Sequence, residues 1–195
     1  KNLLLVLPHV TSANHPVLLR GRHGIGKSSV VYQYATTVGL PVVERRASQM
    51  TEGDLLGLPK VDDDVTSFCP PDWFATACET GVLLFLDEVD RATLEVRQGI
   101  FELCDSRKLA GHTLHPETLI FAAVNGGTHA GAAAYQVGEM DPAELDRYTV
   151  FDVEPSIDDW ITWAQTNCDA LVTDFIRNHT EHLEHNDDPE PNKVY

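Results

Sequence analysis

Apolar residues in this chain fall into short uninterrupted runs, separated by longer stretches in which polar and apolar positions alternate with helical spacing. That is the pattern of strands buried on both faces with amphipathic helices between them. Val17 to Leu19, Val82 to Leu86 and Leu119 to Val124 are the clearest runs. With weaker ones they predict strands over 17–20, 41–44, 82–86, 118–124 and 149–153. Helices are predicted over about 27–38, 72–80 and 91–105, the last with Leu94, Ile100, Phe101 and Cys104 on its inner side. The apolar opening KNLLLVLPHV is short and lacks a small-residue cleavage site, so it reads as a helix of the domain and not as a signal peptide. Strands alternating with helices imply an α/β fold with a parallel sheet covered on both faces.

After Glu154-Pro155 the strand signal stops. Trp160, Trp163 and Ala164, then Leu171, Val172, Phe175 and Ile176, recur at helical spacing and predict two amphipathic helices. The end, NDDPEPNKVY, is polar and proline-bearing, as in a disordered segment or linker. The expected division is a core over 1–153, a helical part over 154–185 and a polar tail over 186–195.

The first strand runs straight into a glycine-rich loop. Residues 21 to 28, GRHGIGKS, fit G-x-x-x-x-G-K-[ST] through Gly21, Gly26, Lys27 and Ser28. Glycines at 21, 24 and 26 let successive amide groups turn inward, making an anion nest at a helix N-terminus. Lys27 can reach terminal phosphates, and the Ser28 hydroxyl is placed to ligate Mg²⁺. The expected nucleotide-binding residues are Gly21, Arg22, His23, Gly24, Ile25, Gly26, Lys27, Ser28 and Ser29. A glycine-rich turn without function is the plain alternative, but a chance match arises in a chain of this composition only about a few times in a thousand.

The run Val82 to Leu86 ends in Asp87-Glu88. Carboxylates at the end of a buried parallel strand lie where open α/β sheets bind ligands. Asp87 would hold Mg²⁺, directly or through water, and Glu88 would polarise the attacking water as general base. An acidic helix start after a core strand is the alternative for this segment alone; the loop at 21–28 removes most of its weight.

Six ordered stretches resemble one family. They are LLRGRHGIGKSS (18–29), EGDLLGLP (52–59), ETGVLLFLDEVDRA (79–92), RQGIFELCDSRKLAG (97–111), FAAVNGG (121–127) and ELDRY (144–148). Together they resemble the AAA+ ATPases, specifically the MoxR-type branch that also contains CbbQ and NorQ. The resemblance implies a P-loop NTPase αβα sandwich, with five parallel strands in the order 5-1-4-3-2 and a partial helical lid after it. It implies ATP and Mg²⁺ as cofactors, and hydrolysis coupled to remodelling or activation of a partner protein. A homo-oligomeric ring of six, and a client or adaptor carrying a von Willebrand type A domain, come from the same source.

The resemblance also assigns single residues. Asn125 falls on the polar sensor position that orients the attacking water; an Asn starting a turn before Gly126-Gly127 is the plain reading. Arg147 matches the arginine that reaches into the neighbouring subunit's site, against a surface salt bridge with Asp146 or Glu144. Arg91 either lies near the subunit boundary or pairs locally. Arg45 and Arg46 read as solvated surface residues. The stretches 51–71 and Lys108 to Pro116 correspond to regions that project towards partners or the ring's centre, and an irregular loop fits the same residues equally well. Arg177 does not match the second sensor arginine of a family lid, and that sensor is left unassigned.

Thirty acidic against 14 basic residues give a net charge of −16, a surface that on average repels a phosphate backbone. This disfavours the alternative function, an AAA+ motor acting on nucleic acid such as a helicase or a restriction-system translocase subunit. A nonhydrolysing nucleotide-dependent scaffold is a further rival, which Lys27, Asp87, Glu88 and Asn125 make unattractive. No apolar run approaches the ~20 residues that span a bilayer. Cys69, Cys78, Cys104 and Cys168 show no paired short spacing, which suits reduced thiols in the cytoplasm. His179, His182 and His185, three residues apart, spiral off a single helix face and read as polar surface. Lys1 is not an initiator methionine, so the numbered chain is expected to be trimmed or a fragment.

Overall fold

A computed structural model describes residues 2–125 and 140–183; Gly126-Gly127, His185 and the expected tail lie outside them. The described chain divides into two compact units, one within Asn2–Val153 and one over residues 154–183.

The first unit is built on five parallel strands: β1 (Val17–Arg20), β2 (Val42–Arg46), β3 (Leu83–Asp87), β4 (Leu119–Val124) and β5 (Thr149–Asp152). Across the sheet they run β2-β3-β4-β1-β5, which is the order 5-1-4-3-2 read from the other edge. α1 (Asn2–Thr11) precedes β1, and helices fill the crossovers: α2 (Lys27–Val38), α3 (Glu52–Leu56), α4 (Asp72–Glu79), α5 (Leu94–Ser106) and the short α6 (Pro142–Leu145).

Period-two alternation along the buried strands sorts the core into two layers. Leu18, Leu84, Leu86, Ile120, Ala122 and Val124 face Leu55 of α3, Trp73, Phe74 and Ala77 of α4, and Val96, Ile100 and Leu103 of α5. Val17, Leu19, Leu83, Phe85, Phe121 and Ala123 face Leu7 of α1 and Val31, Tyr34 and Ala35 of α2. The two helices of this second layer are tied by the buried hydroxyls of Thr11 and Tyr34, 2.6 Å apart. At the open end of β1, Arg20 makes a two-pronged ion pair with its register neighbour Asp152 on β5, at 2.6 and 2.9 Å.

Three local expectations change. β2 runs past the expected 41–44 through Arg45 and Arg46, because they pair in register with Leu86 and Asp87 of β3, and Arg46 is exposed there as expected. Leu94 is 60% exposed at the start of α5, so the inner side of that helix begins at Val96. The stretch 51–71 is not irregular. Thr51 and Asp54 form a capping box that starts α3, and Leu58–Asp62 pairs antiparallel with Val65–Cys69. Asp63 and Asp64, both with positive φ (47° and 63°), make the two-residue turn of that hairpin. A second hairpin, Lys108–Leu109 with His112–Thr113, lies against the core, since Leu109 and Leu114 are buried.

The second unit holds α7 (Ile157–Asn167) and α8 (Ala170–Asn178), capped by Ser156 and Asp169. Among its described residues Ala164 and Thr173 are buried, whereas Trp163, Leu171, Val172 and Phe175 of the expected apolar set stand exposed. Phe175 lies against the rings of His179 and His182. No cluster of metal-ligating side chains occurs among the described residues.

Candidate active site

The C-terminal ends of β1, β3 and β4 converge on one open cavity of about 570 Å³. Its lining comes from the loop and first turn of α2 (His23, Gly24, Gly26, Lys27, Ser28, Ser29), from the end of β3 and its following turn (Asp87, Glu88, Arg91), and from Asn125 after β4. Residues some sixty and a hundred positions apart in sequence thus share one space. The β3-β4-β1 adjacency brings them there.

The loop takes the shape its glycines allow. Gly24 and Gly26 have φ of 77° and 92°, in the left-handed region that side chains disfavour. Gly21 has another reason to lack a side chain: a Cβ there would meet the Val153 carbonyl oxygen at 2.4 Å. Gly26 caps α2 with no side-chain bond of its own, so the first amides of that helix point into the cavity with the positive end of its dipole. Gly21, Arg22 and Ile25 do not line the cavity. Gly21 and Arg22 contribute carbonyl oxygens instead, and Ile25 packs towards Gly21.

Lys27 is buried, and its Nζ donates to Gly21 O at 2.7 Å, Arg22 O at 2.8 Å and Asn125 Oδ1 at 3.0 Å. Burial holds its pKa below the usual lysine value, while Asp87, Asp90 and Glu88 pull it back up. Burial likewise pushes the Asp87 carboxyl up; the Glu88 amide, donating to Asp87 Oδ1 at 2.9 Å, opposes this, and the Glu88 charge adds to the rise. A carboxylate short of solvation, beside the Ser28 hydroxyl in the same cavity, is a donor pair suited to a hard divalent cation.

Two residues without a motif complete the arrangement. Ser48, in the turn after β2, donates its hydroxyl to Glu88 Oε2, and Arg91 lies 4.0 Å from the other carboxylate oxygen. Asp90, almost fully buried, accepts the backbone amide of Asn125 at 3.0 Å and so fixes where the sensor candidate begins. An acidic residue following a D-E pair was the available signal for Asp90; Ser48 offered none.

Arg147 lies outside this cavity. Its partners are neither Asp146 nor Glu144: Nε stands 3.5 Å from Asp105, Nη1 donates to Ala143 O, and the guanidinium lies over the Phe101 ring. Arg45 and Arg46 line a separate cavity of about 560 Å³ with Cys69, Pro71 and Trp73, where Arg45 pairs with Asp72 at 3.4 Å.

Residues 16–148 match the AAA domain of the dynein-related subfamily, which is more than half of the chain. The chain belongs to this AAA family. Among curated proteins, this AAA chain is similar to Protein CbbQ of Hydrogenophilus thermoluteolus, with 25% identity over 168 residues that cover 80% of the chain and 61% of CbbQ. That agrees with the MoxR-type branch indicated by the motifs. Among solved structures it resembles the RuvB Holliday junction branch migration motor of Thermotoga maritima, at TM-score 0.55 and 13% identity, over 83% of this chain and 46% of that one. A Cytophaga hutchinsonii protein provisionally described as an ATPase gives TM-score 0.58 and 17% identity, over 86% and 50%. These structural likenesses concern the fold. The AAA chain spans under two thirds of the length of CbbQ and half or less of the two solved proteins.

Proposed function

We propose that this chain is a Mg²⁺-dependent ATP hydrolase whose turnover remodels or activates a partner protein. The observation that carries the reading is the meeting of Lys27, Ser28, Asp87, Glu88 and Asn125 in one cavity above the ends of three adjacent strands. In this reading the amides of the loop residues that line the cavity, His23, Gly24 and Gly26 to Ser29, and the Lys27 ammonium bind the phosphates. Ser28 and Asp87 hold the magnesium ion, which when bound neutralises charge on the β- and γ-phosphate oxygens. Glu88 takes a proton from the attacking water, and Asn125 orients that water. The Ser48 hydroxyl keeps the Glu88 carboxylate aimed, and Arg91 lies near its other oxygen.

Arg147 has no place in its own cavity, which supports a role in the neighbouring subunit of a homo-oligomeric ring, six-membered by resemblance. There it would neutralise charge on the transferred phosphoryl group. The unit from Glu154 serves as a lid, and a von Willebrand type A client or adaptor and a cytoplasmic setting complete the proposal. The net charge of −16 weighs against nucleic acid as the thing moved.

Phosphate release measured for wild type, Glu88→Gln and Arg147→Ala tests this. Glu88→Gln is expected to keep ATP and stop turnover, because the binding groups remain while the base is gone. Unchanged turnover in that variant removes Glu88 from the mechanism, and strong stimulation by DNA revives the motor reading.

A further inference from the structure

Arg147 is held by more than a salt bridge. Its guanidinium carbon sits 3.7 Å from the centroid of the Phe101 ring, Nη1 donates to Ala143 O at 2.5 Å, and Nε is 3.5 Å from Asp105 Oδ1. Phe101 and Asp105 are one turn apart on α5. The same helix makes two more contacts to the same segment: Arg97 pairs with Glu144, and Cys104 Sγ donates to Tyr148 Oη at 3.2 Å. Positions 97, 101, 104 and 105 follow helical neighbour spacing, so one stripe of α5 clasps residues 144–148. Cys104 and Tyr148 are buried, which anchors the inner end of the clasp; Arg147 sits at its outer rim.

We infer that Phe101 is a positioning residue for Arg147: its ring is a platform that fixes the guanidinium in the direction of the adjoining subunit. This rests on the reading that Arg147 acts in trans. A ring face suits the task because it attracts the cation without taking any of its in-plane N–H donors; Nη1 is held by Ala143 O and Nε faces Asp105, which leaves Nη2 as the group to meet a phosphoryl oxygen. Asp105 is the weaker hold, since its side chain is 62% exposed and solvent screens the pair. Phe101, expected inside the core, is only half-buried, and Arg147 covers its ring.

Turnover and KM for ATP are measured on Phe101→Leu, Phe101→Tyr and Asp105→Asn, each alone and mixed with Lys27→Ala, with Arg147→Ala plus Lys27→Ala as control. Phe101→Leu keeps the apolar bulk and loses the π face. It is expected to lower kcat about a hundredfold, the scale of an ångström's misplacement of a reacting group, with KM unchanged. Phe101→Tyr should retain activity, and Asp105→Asn should lose about twofold. Mixing Phe101→Leu with Lys27→Ala should restore part of the turnover, because the second protein presents a correctly held arginine to an intact cavity. Full activity in Phe101→Leu, an equal loss in Phe101→Tyr, or no rescue where Arg147→Ala is rescued overturns the role of Phe101. If neither mixture is rescued, the trans reading falls and takes this role with it.

Discussion

Lys27 Nζ lies 3.0 Å from Asn125 Oδ1, a bond that joins the glycine-rich loop to the end of β4 across the cavity. A triphosphate reaching Lys27 would compete for that ammonium and release the Asn125 amide. Asn125→Ala is therefore expected to lower turnover about a hundredfold, the lower range for a lost proton-transfer or orienting group. ATP affinity should change little, because Gly21 O and Arg22 O still hold Lys27. Nucleotide titration beside phosphate release checks this. An affinity loss as large as the turnover loss would make Asn125 a binding group only.

Asp87 gives a pH-dependent expectation. Its carboxyl is raised above the ordinary 3.8, mainly by burial, so the folded chain holds the proton more tightly than the unfolded one. Its contribution to stability is thus fully present below that ordinary value and is lost as pH rises through the folded value. Asp87→Asn keeps an acceptor for the Glu88 amide and has no charge to bury. In nucleotide-free protein, its Tm should exceed that of wild type, by more at pH 7 than at pH 4, while magnesium-dependent ATP binding is lost. A Tm gain that does not grow with pH would deny the burial penalty.

Two loop glycines should respond to alanine differently. At Gly24 a Cβ meets nothing within 4 Å, so the cost is the left-handed backbone alone, about 1 kcal/mol. At Gly21 it would strike the Val153 carbonyl oxygen, an overpacking cost of about 1–3 kcal/mol. Denaturant unfolding should rank Gly21→Ala as the less stable variant. The reverse ranking would mean that the strand end at Val153 yields freely.

The thiols differ sharply in environment. Burial pushes Cys104 up to about 12, and Cys78 is raised as well, whereas Cys69 is exposed. Alkylation at pH 8, followed by mass spectrometry of peptides, should label Cys69 early and Cys104 only upon unfolding, since the thiolate is the reactive form. Early labelling of Cys104 would show that α5 separates readily from Tyr148.

Much of the site was readable because its signals are local. The loop motif and the run ending in Asp87-Glu88 each lie within a dozen residues, and the sheet needed only uninterrupted apolar runs to be seen. The strand order came through resemblance, as no spacing along the chain specifies which parallel strands adjoin. What escaped was carried by turns and by long-range pairs. Asp62-Asp63-Asp64 reads as a charge run, yet Asp63 and Asp64 turn a hairpin because short polar side chains tolerate the left-handed region. The Thr51 and Asp54 cap was legible in principle. Ser48 with Glu88, and Phe101 with Arg147, are separated by some forty residues and share no motif.

The backbone of Glu88 has φ 55° and ψ 40°, a conformation that costs a residue with a side chain about 1–2 kcal/mol and costs glycine almost nothing. Thermal endurance and chemistry therefore pull this position in opposite directions. A library randomised at 88 and sorted for survival on heating should enrich Gly and Asn. The same library sorted for phosphate release should return the acid.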